Sequence, residues 1–483
     1  RHPSVASTSS ATYNPRTLDQ LSSALWLSIL RHAFAIATQE LSHLNLLRMP
    51  GDGYSDRAAD ICAAVEQVDD TFAQIALDDL PTEEDYSSGN NTQIGGEPRQ
   101  RGWLGRVGKG LSKRTMNLGK GLGLISAQVS QEDENARAMV NSCRSPLASP
   151  VGGIACQDPA EAKLARSVLS MMIRQMGRNL LQGQNVMNTS FPIQCCQPKT
   201  ILEIAQSQGG FFHAFLPQAA RAKDPVERMK NVVSCFVAAM TLTSANFLKP
   251  LNPILGETLQ AEYSDGSKLY MEQTCHHPPI SSFHLVAPGK MYEYYGFTTF
   301  DIGFGYNRMF LNTSGQRTLR FEDGGVIEIG FPKDRVSNVF WGTMHHETLG
   351  EQFFVDAANG IRCSITYAPA HRKGLPTDFF EGAIERFDPK RPDADGQLVS
   401  SVEGSWVGFC DFDGVRYWDS RSSQKQAISP PARTLPSDSR RRPDRNALAA
   451  KDYKLGQAKK LELEEQQRHE RRLREAVHGK HSK

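Results

Sequence analysis

The stretch from Lys249 to Pro279 constrains this chain more than any other. It opens with Lys249-Pro250-Leu251-Asn252-Pro253-Ile254-Leu255-Gly256-Glu257-Thr258 and closes with Glu272-Gln273-Thr274-Cys275-His276-His277-Pro278-Pro279. Between them Leu259 to Met271 alternates and carries a turn signal, Ser264-Asp265-Gly266-Ser267. That pattern predicts two strands joined by a hairpin. On each flank Lys, Asn or His stands beside prolines, which fix φ at about −65° and remove backbone donors. A stiff polar mouth next to an apolar strand suits the grip of an anionic group.

The second segment resembles the Glu-Gln-Val-Ser-His-His-Pro-Pro fingerprint of the oxysterol-binding protein family, with Thr274 and Cys275 in place of Val and Ser. The first is similar to that family's Lys-Pro-Leu/Phe-Asn-Pro-x-Leu-Gly-Glu-Thr segment, which lies just upstream. Further along, Leu435-Pro436-Ser437-Asp438-Ser439-Arg440 resembles the family's Pro-x-Asp-Ser-Arg segment, and Lys460 to Arg468 its Lys-x-x-Leu-Glu-x-x-Gln-Arg helix. Pro225-Val226-Glu227-Arg228-Met229 is similar to the helix preceding the first motif. A looser likeness joins Phe191 to Glu203 with the family's Leu-Pro-Val-x-Phe-Asn-Glu-Pro segment. The resemblance covers Pro159 to Arg474, and no counterpart of the family's aromatic C-terminal segment is visible.

Composition leaves most partners unnamed. The 483 residues carry a formal charge of only +2, so bulk electrostatics point to no nucleic acid, and only local basic clusters can name a partner. The nine scattered cysteines form no Cys-x-x-Cys pair and read as reduced thiols of a cytosolic protein. Leu21 to Thr38, the most apolar run, is interrupted by Arg31-His32 and falls short of the ~20 apolar residues of a spanning helix. No secretory signal is visible. The chain begins at Arg1 and is expected to be a fragment, with any upstream targeting module outside it.

In chain order, residues 1–100 read as a helical region and linker of unassigned role. Helices are predicted over Leu18–Met49 and Asp56–Leu80, followed by an acidic, then Gly/Asn-rich linker. Residues 101–158 form a basic amphipathic lid-like segment and a loop. Trp103, Leu104, Val107 and Leu111 alternate with Arg106, Lys109, Lys113 and Arg114, and no acidic residue falls between Glu97 and Glu132. Such a segment gains order at an anionic membrane surface; a flexible basic linker is the alternative. Ser130–Asp158 reads as loop.

Residues 159–420 are predicted to hold helices at Pro159–Leu181 and Asp224–Phe247, then many short strands. These include Met291–Phe300, Thr318–Phe321, Gly325–Phe331, Gln352–Ala357, Ile361–Tyr367, Ala383–Phe387 and Gly404–Phe412. The spacing means a large barrel or a sandwich. Residues 421–483 read as a basic subdomain, helical from about Arg445 to Val477. The fold class is therefore mainly β with flanking helices. The resemblance implies an incomplete antiparallel β-barrel of about 19 strands around a hydrophobic lipid tunnel, with an N-terminal lid and a C-terminal helical subdomain.

What the residues could do follows from their chemistry. Lys460, Glu464 and Arg468 stack along one helix face, which by itself reads as a solvated face of i,i+4 ion pairs. The resemblance implies that they meet Lys249, Asn252, His276 and His277 around the headgroup of phosphatidylinositol 4-phosphate. A phosphate monoester carries about −1.5 to −2 charges, matched by cations, an amide and imidazoles. A bound phosphate raises histidine pKa values, so headgroup binding is expected to weaken as pH rises through neutrality. Phe191, Ile193 and Leu202 are tunnel-lining candidates by the same resemblance.

A metal at His276, His277, His345, His346 and Cys275 is disfavoured, because neighbours on an extended chain point to opposite faces. No Gly-x-Ser-x-Gly elbow occurs, so no enzyme and no cofactor are expected. Glu351 to Ala357 is similar to the acidic two-phenylalanine motif that recruits endoplasmic-reticulum proteins, but it falls inside a predicted strand. A receptor of that kind is expected only through a region outside the chain. The resemblance implies exchange of phosphatidylinositol 4-phosphate for a sterol or phosphatidylserine between membranes, by a cytoplasmic, peripherally bound protein at endoplasmic-reticulum, Golgi or plasma-membrane contacts. The alternative is a sensor or tether that binds lipid without moving it.

Overall fold

The computed structural model describes residues 131–168, 170, 192–244, 246–276, 278–305, 307–372, 374–392 and 394–481, all within the compact unit Pro98–Lys483. The expected helices at 18–49 and 56–80, the segment Trp103–Ile125, the end of the 159–181 helix, Phe191 and His277 lie outside the described residues.

The architecture follows from one long antiparallel sheet wrapped on one buried helix. That helix, α4 (Pro225–Thr243), starts where Asp224 accepts the Val226 amide at 3.0 Å with Pro225 in the first turn, a strong N-terminal signal. Its run Val232–Ala239 is buried on every side, as expected of a helix apolar all round. Before it come α1 (Gln131–Cys143), a helical stretch at 159–168, α2 (Ile201–Ala205) and α3 (Phe212–Arg221).

Among the described residues fifteen strands join one sheet, and β2 (Cys196–Thr200) pairs separately with β3 (Lys249–Leu251). From β4 (Thr258–Tyr263) the sheet runs through β5 (Lys268–Cys275), β6 (Ile280–Val286), β7 (Tyr292–Gly305) and β8 (Arg308–Phe321) to β10 (Lys333–Ser337). It continues through β11 (His345–Asp356), β12 (Ile361–Tyr367), β13 (Phe379–Arg386), β14 (Gln397–Ser405) and β15 (Phe409–Phe412) to β16 (Val415–Asp419). Two short strands lie off this path: β1 (Ile154–Ala155) on β11, and β9 (Val326–Ile329) on β8 and β11. At the far edge β17 (Ile428–Ser429) pairs with β4, so β16 and β17 end the path without joining. The sheet is an incomplete barrel.

Register sorts the side chains into an inner and an outer face. Leu259, Ala261 and Tyr263 on β4, Tyr292 and Tyr294 on β7, Leu319 and Phe321 on β8, and Ile361, Cys363, Ile365 and Tyr367 on β12 turn inward and pack with Phe212, Phe236 and Phe354. Near the ends of β5, β7 and β10 the inner face is less filled. Phe283, Thr298, Phe300, Leu311 and Thr313 share that face by register yet are only partly buried, and Ile302 keeps 52% of its exposure. Antiparallel pairing places this end beside His276, the 305–308 turn and the 338–344 loop. We call it the mouth end.

Several expectations need correction. Ser130–Asp158 is not loop throughout: α1 and β1 occupy it, and α1 is pinned by Val140 and Cys143 against Phe379 and Phe409. So few apolar residues gave the helix no periodic stripe. The strand expected over Gly404–Phe412 is a hairpin, with Ser405 paired to Phe409 around Trp406-Val407-Gly408. β8 begins ten residues earlier than Thr318. The helix expected to reach Phe247 ends at Thr243. The C-terminal helix is two, α5 (Pro443–Ala449) and α6 (Tyr453–His481), broken where Lys451 adopts φ +59°. Among the described residues no helix is long and apolar enough to cross a membrane.

Candidate functional site

The Lys249–Glu257 segment is built as a rigid loop. Its start is held by β3 on β2, where Cys196 pairs with Lys249 and Thr200 with Leu251. Its end is a tight turn: the Glu257 amide donates to the Ile254 carbonyl, and the Glu257 carboxylate accepts the Ile254 amide, both at 3.0 Å. Gly256 sits at φ +78° and donates to the Gln273 carbonyl at 2.9 Å. Nothing crowds a Cβ there, so the left-handed backbone is what selects glycine. Within the loop Lys249 Nζ donates to Asn252 Oδ1 at 3.2 Å.

The C-terminal subdomain clamps this loop from below. Arg442 Nη1 donates to the Asn252 carbonyl at 2.7 Å and to Glu257 Oε2 at 2.8 Å, while its Nε and Nη2 hold Asp444 at 3.0 and 2.7 Å. Ser439 Oγ donates to Glu257 Oε1 and accepts from Thr200 Oγ1. Thr200 in turn caps α2 in a reciprocal box with Glu203, and Arg445 holds Glu203 at 2.7 Å. Three segments remote in sequence therefore meet on one buried polar network.

Helix α6 brings Lys460 to the same place. Lys460 is ion-paired with Glu464 and keeps 12% side-chain exposure. Burial pushes the Cys196 thiol up, and the charges of Lys249, Lys460 and Arg442 pull it back, so all three cations lie within electrostatic reach of it. Arg468 stands farther along α6, half exposed, donating to Glu465 at 3.1 Å. His276 is partly buried directly after β5. Of the predicted headgroup residues, Lys249, Asn252, Lys460 and Glu464 are thus gathered around the loop, and Arg468 is turned to its helix neighbour. A cleft of about 240 Å³ separates loop and helix, lined by Leu255, Glu257, Arg441, Arg442, Leu463 and Gln467. Lys249, His276 and Lys460 do not line it.

The tunnel candidates divide. Leu202 is fully buried in the main interior cluster. Ile193 instead packs with Cys196, Leu251 and Leu448, with its amide donating to Gln457 on α6 at 2.8 Å, so it supports the clamp. His345 and His346 diverge: His345 faces Glu347 at 3.6 Å and His346 faces Asp334 at 3.1 Å. Sequence reading missed Arg442, Glu257, Ser439 and Thr200 as organisers of the loop. The signal was partial, since Glu257 and Ser439 stand inside the quoted motifs.

Residues 172–431 and 420–483 match the oxysterol-binding protein family. The chain belongs to that family. Oxysterol-binding protein 9 of Dictyostelium discoideum is 30% identical over 341 residues, covering 66% of this chain and 79% of the relative. Oxysterol-binding protein-related protein 1B of Arabidopsis thaliana is 22% identical over 353 residues, 66% of this chain and 68% of its own. The fold is similar to the Saccharomyces cerevisiae Osh3 ORD in complex with PI(4)P, with TM-score 0.51 and 21% identity over 64% of this chain and 84% of that one. It is also similar to the Osh1 ORD domain in complex with ergosterol, with TM-score 0.51 and 17% identity over 72% and 90%. Within this oxysterol-binding fold, the clamped loop and the less filled inner face lie at adjoining parts of the mouth end.

Proposed function

We propose that this oxysterol-binding domain carries one lipid at a time, exchanging phosphatidylinositol 4-phosphate for a sterol or phosphatidylserine between membranes. The observation that carries the reading is the clamped loop that holds Lys249 against Asn252 at 3.2 Å, with Lys460 near enough that both lysine charges act on Cys196, at the mouth of a sheet whose inner apolar positions stay accessible. Two ammonium groups supply the counter-charge of a phosphate monoester, with Asn252, His276 and His277 as further donors and Glu464 orienting Lys460. Osh3 and Osh1 bound to PI(4)P and ergosterol support the same pair of ligands here. The inner face shelters the chains, because at ~0.8 kcal/mol per buried CH₂ a lipid of twenty-odd apolar carbons faces well over ~10 kcal/mol on entering water.

The lid belongs to the same reading. Asp133 near the start of α1 is ion-paired with Arg372 at 2.6 Å, in the connection between β12 and β13 that lies toward the mouth end. The basic amphipathic sequence Trp103 to Arg114, which precedes α1 in the chain, is the segment we propose as the lid that meets an anionic, cytoplasmic membrane surface. The test is native mass spectrometry after incubation with vesicles holding phosphatidylinositol 4-phosphate, cholesterol and phosphatidylserine. The reading expects one-to-one complexes in which the phosphoinositide and the second lipid exclude each other. Simultaneous binding, or none, contradicts it.

A further inference from the structure

Arg317 on β8 is 6% exposed, and no ion pair among the described residues includes it. Its guanidinium donates to the Gly330 carbonyl and interacts electrostatically with the Tyr294 hydroxyl, and its Nε has no hydrogen-bond partner. The plane lies 3.8 Å from the centre of the Phe331 ring. Gln352 donates to the same Gly330 carbonyl at 3.1 Å and accepts from the Tyr367 hydroxyl at 2.7 Å. The charge of Asp334 reaches Arg317, but that carboxylate is taken by His346 at 3.1 Å and Thr348 at 2.9 Å. A guanidinium held this deep without a carboxylate in contact is costly, and burial pulls the Arg317 pKa below its ordinary value.

Its place on the sheet is equally specific. Arg317 faces inward opposite Gly296. Toward the mouth, the next inner positions, Thr298, Thr313 and Gly315, keep exposure; away from it, Tyr294 and Leu319 are fully buried. Arg317 therefore stands at the step where the accessible inner face ends.

We propose that this floor receives the anionic end of an amphiphile, a long-chain carboxylate, with Arg317 as its counter-charge. The tail then runs toward the mouth past Phe283, Phe300 and Leu311. A neutral hydroxyl would be served by Gln352 or Tyr294 alone; only an anion offsets the buried charge. This rests on the reading above that the accessible inner face holds lipid.

The test uses the full chain and displacement of a fluorescent fatty acid by oleate and, separately, by oleyl alcohol. Oleate is expected to bind about tenfold or more tighter than the alcohol, as a charge-assisted pair requires. Arg317→Met should bring the two within about twofold, and Arg317→Lys should retain part of the preference. Retained alcohol binding and an unchanged melting profile report an intact fold, and if Arg317→Met does not fold the wild-type comparison decides alone. Equal binding of oleate and oleyl alcohol by the wild type overturns the proposal and leaves the reading of a lipid-holding inner face standing. Loss of both, with phosphoinositide and sterol still bound, overturns it as well. Binding of none of the four lipids defeats the cavity reading itself.

Discussion

Arg442 reaches 185 residues back along the chain to hold Glu257 at 2.8 Å, with both side chains almost wholly buried. The same nitrogen holds the Asn252 carbonyl, so one guanidinium fixes both the end of the Lys249–Glu257 loop and the residue that binds Lys249. Removing it leaves two buried carboxylates, Glu257 and Asp444, without their shared cation, and breaking a buried pair costs about 3–5 kcal/mol. Arg442→Met should lower the unfolding free energy by that amount in urea titrations. Adding Glu257→Gln should recover part of it, because one of the two orphaned charges is then gone.

Headgroup and cargo sites should separate on mutation. Lys249→Ala and Lys460→Ala each remove one of the cations whose charge reaches Cys196, and each should weaken phosphatidylinositol 4-phosphate binding about tenfold or more. Uptake of a fluorescent sterol should change little, since neither side chain belongs to the interior cluster. A parallel loss of both ligands in the same titration would make the lysines structural.

A pH dependence follows from His345 and Glu347. Burial pushes Glu347 up, but hydrogen bonds from His345, Arg335 and Ser337 outweigh it and hold the carboxyl far below 4.5. Its stabilisation is present above pH 4.5 and lost as pH falls through the depressed value. Burial lowers His345, yet its bonds to Glu347 and the Thr343 carbonyl raise it above 6.5. That contribution is complete below pH 6.5 and lost as pH rises through the raised value. Denaturant midpoints of wild type and His345→Gln should therefore differ most below pH 6.5 and converge at higher pH.

The mouth end carries its own reporter. Trp341 is 38% exposed on a loop pinned by Asn307, which accepts the Phe340 and Trp341 amides at 2.9 and 3.4 Å and donates to the Trp341 carbonyl at 3.3 Å. Trp406 and Trp418 are buried. If this end meets the membrane, brominated lipids should quench tryptophan emission in a protein carrying Trp26→Phe and Trp103→Phe, and adding Trp341→Phe should remove much of that quenching.

What the sequence revealed was local. Ile361–Tyr367 alternates cleanly and is the strand β12 with those bounds, and the Ser264–Ser267 turn joins β4 to β5 with Gly266 at φ +87°. β8 was foreshortened because Asn312, Ser314, Gly315 and Gln316 look like a turn but pair along β7. The site was legible through its motifs at Lys249 and Asn252. The clamp was not, since Arg442, Asp444 and Arg445 look like any basic tail until the fold sets them against Glu257 and Glu203. The unpaired Arg317 was hidden for the opposite reason, as a polar residue in a strand reads as outward-facing.

Transfer between two vesicle populations tests the central claim most directly, with one carrying phosphatidylinositol 4-phosphate and the other cholesterol or phosphatidylserine. Exchange predicts that each lipid moves down its gradient, that loading the acceptor with the counter-lipid speeds phosphoinositide movement, and that Lys460→Ala abolishes this coupling. Binding without movement of either lipid, or movement indifferent to the counter-lipid, would contradict exchange.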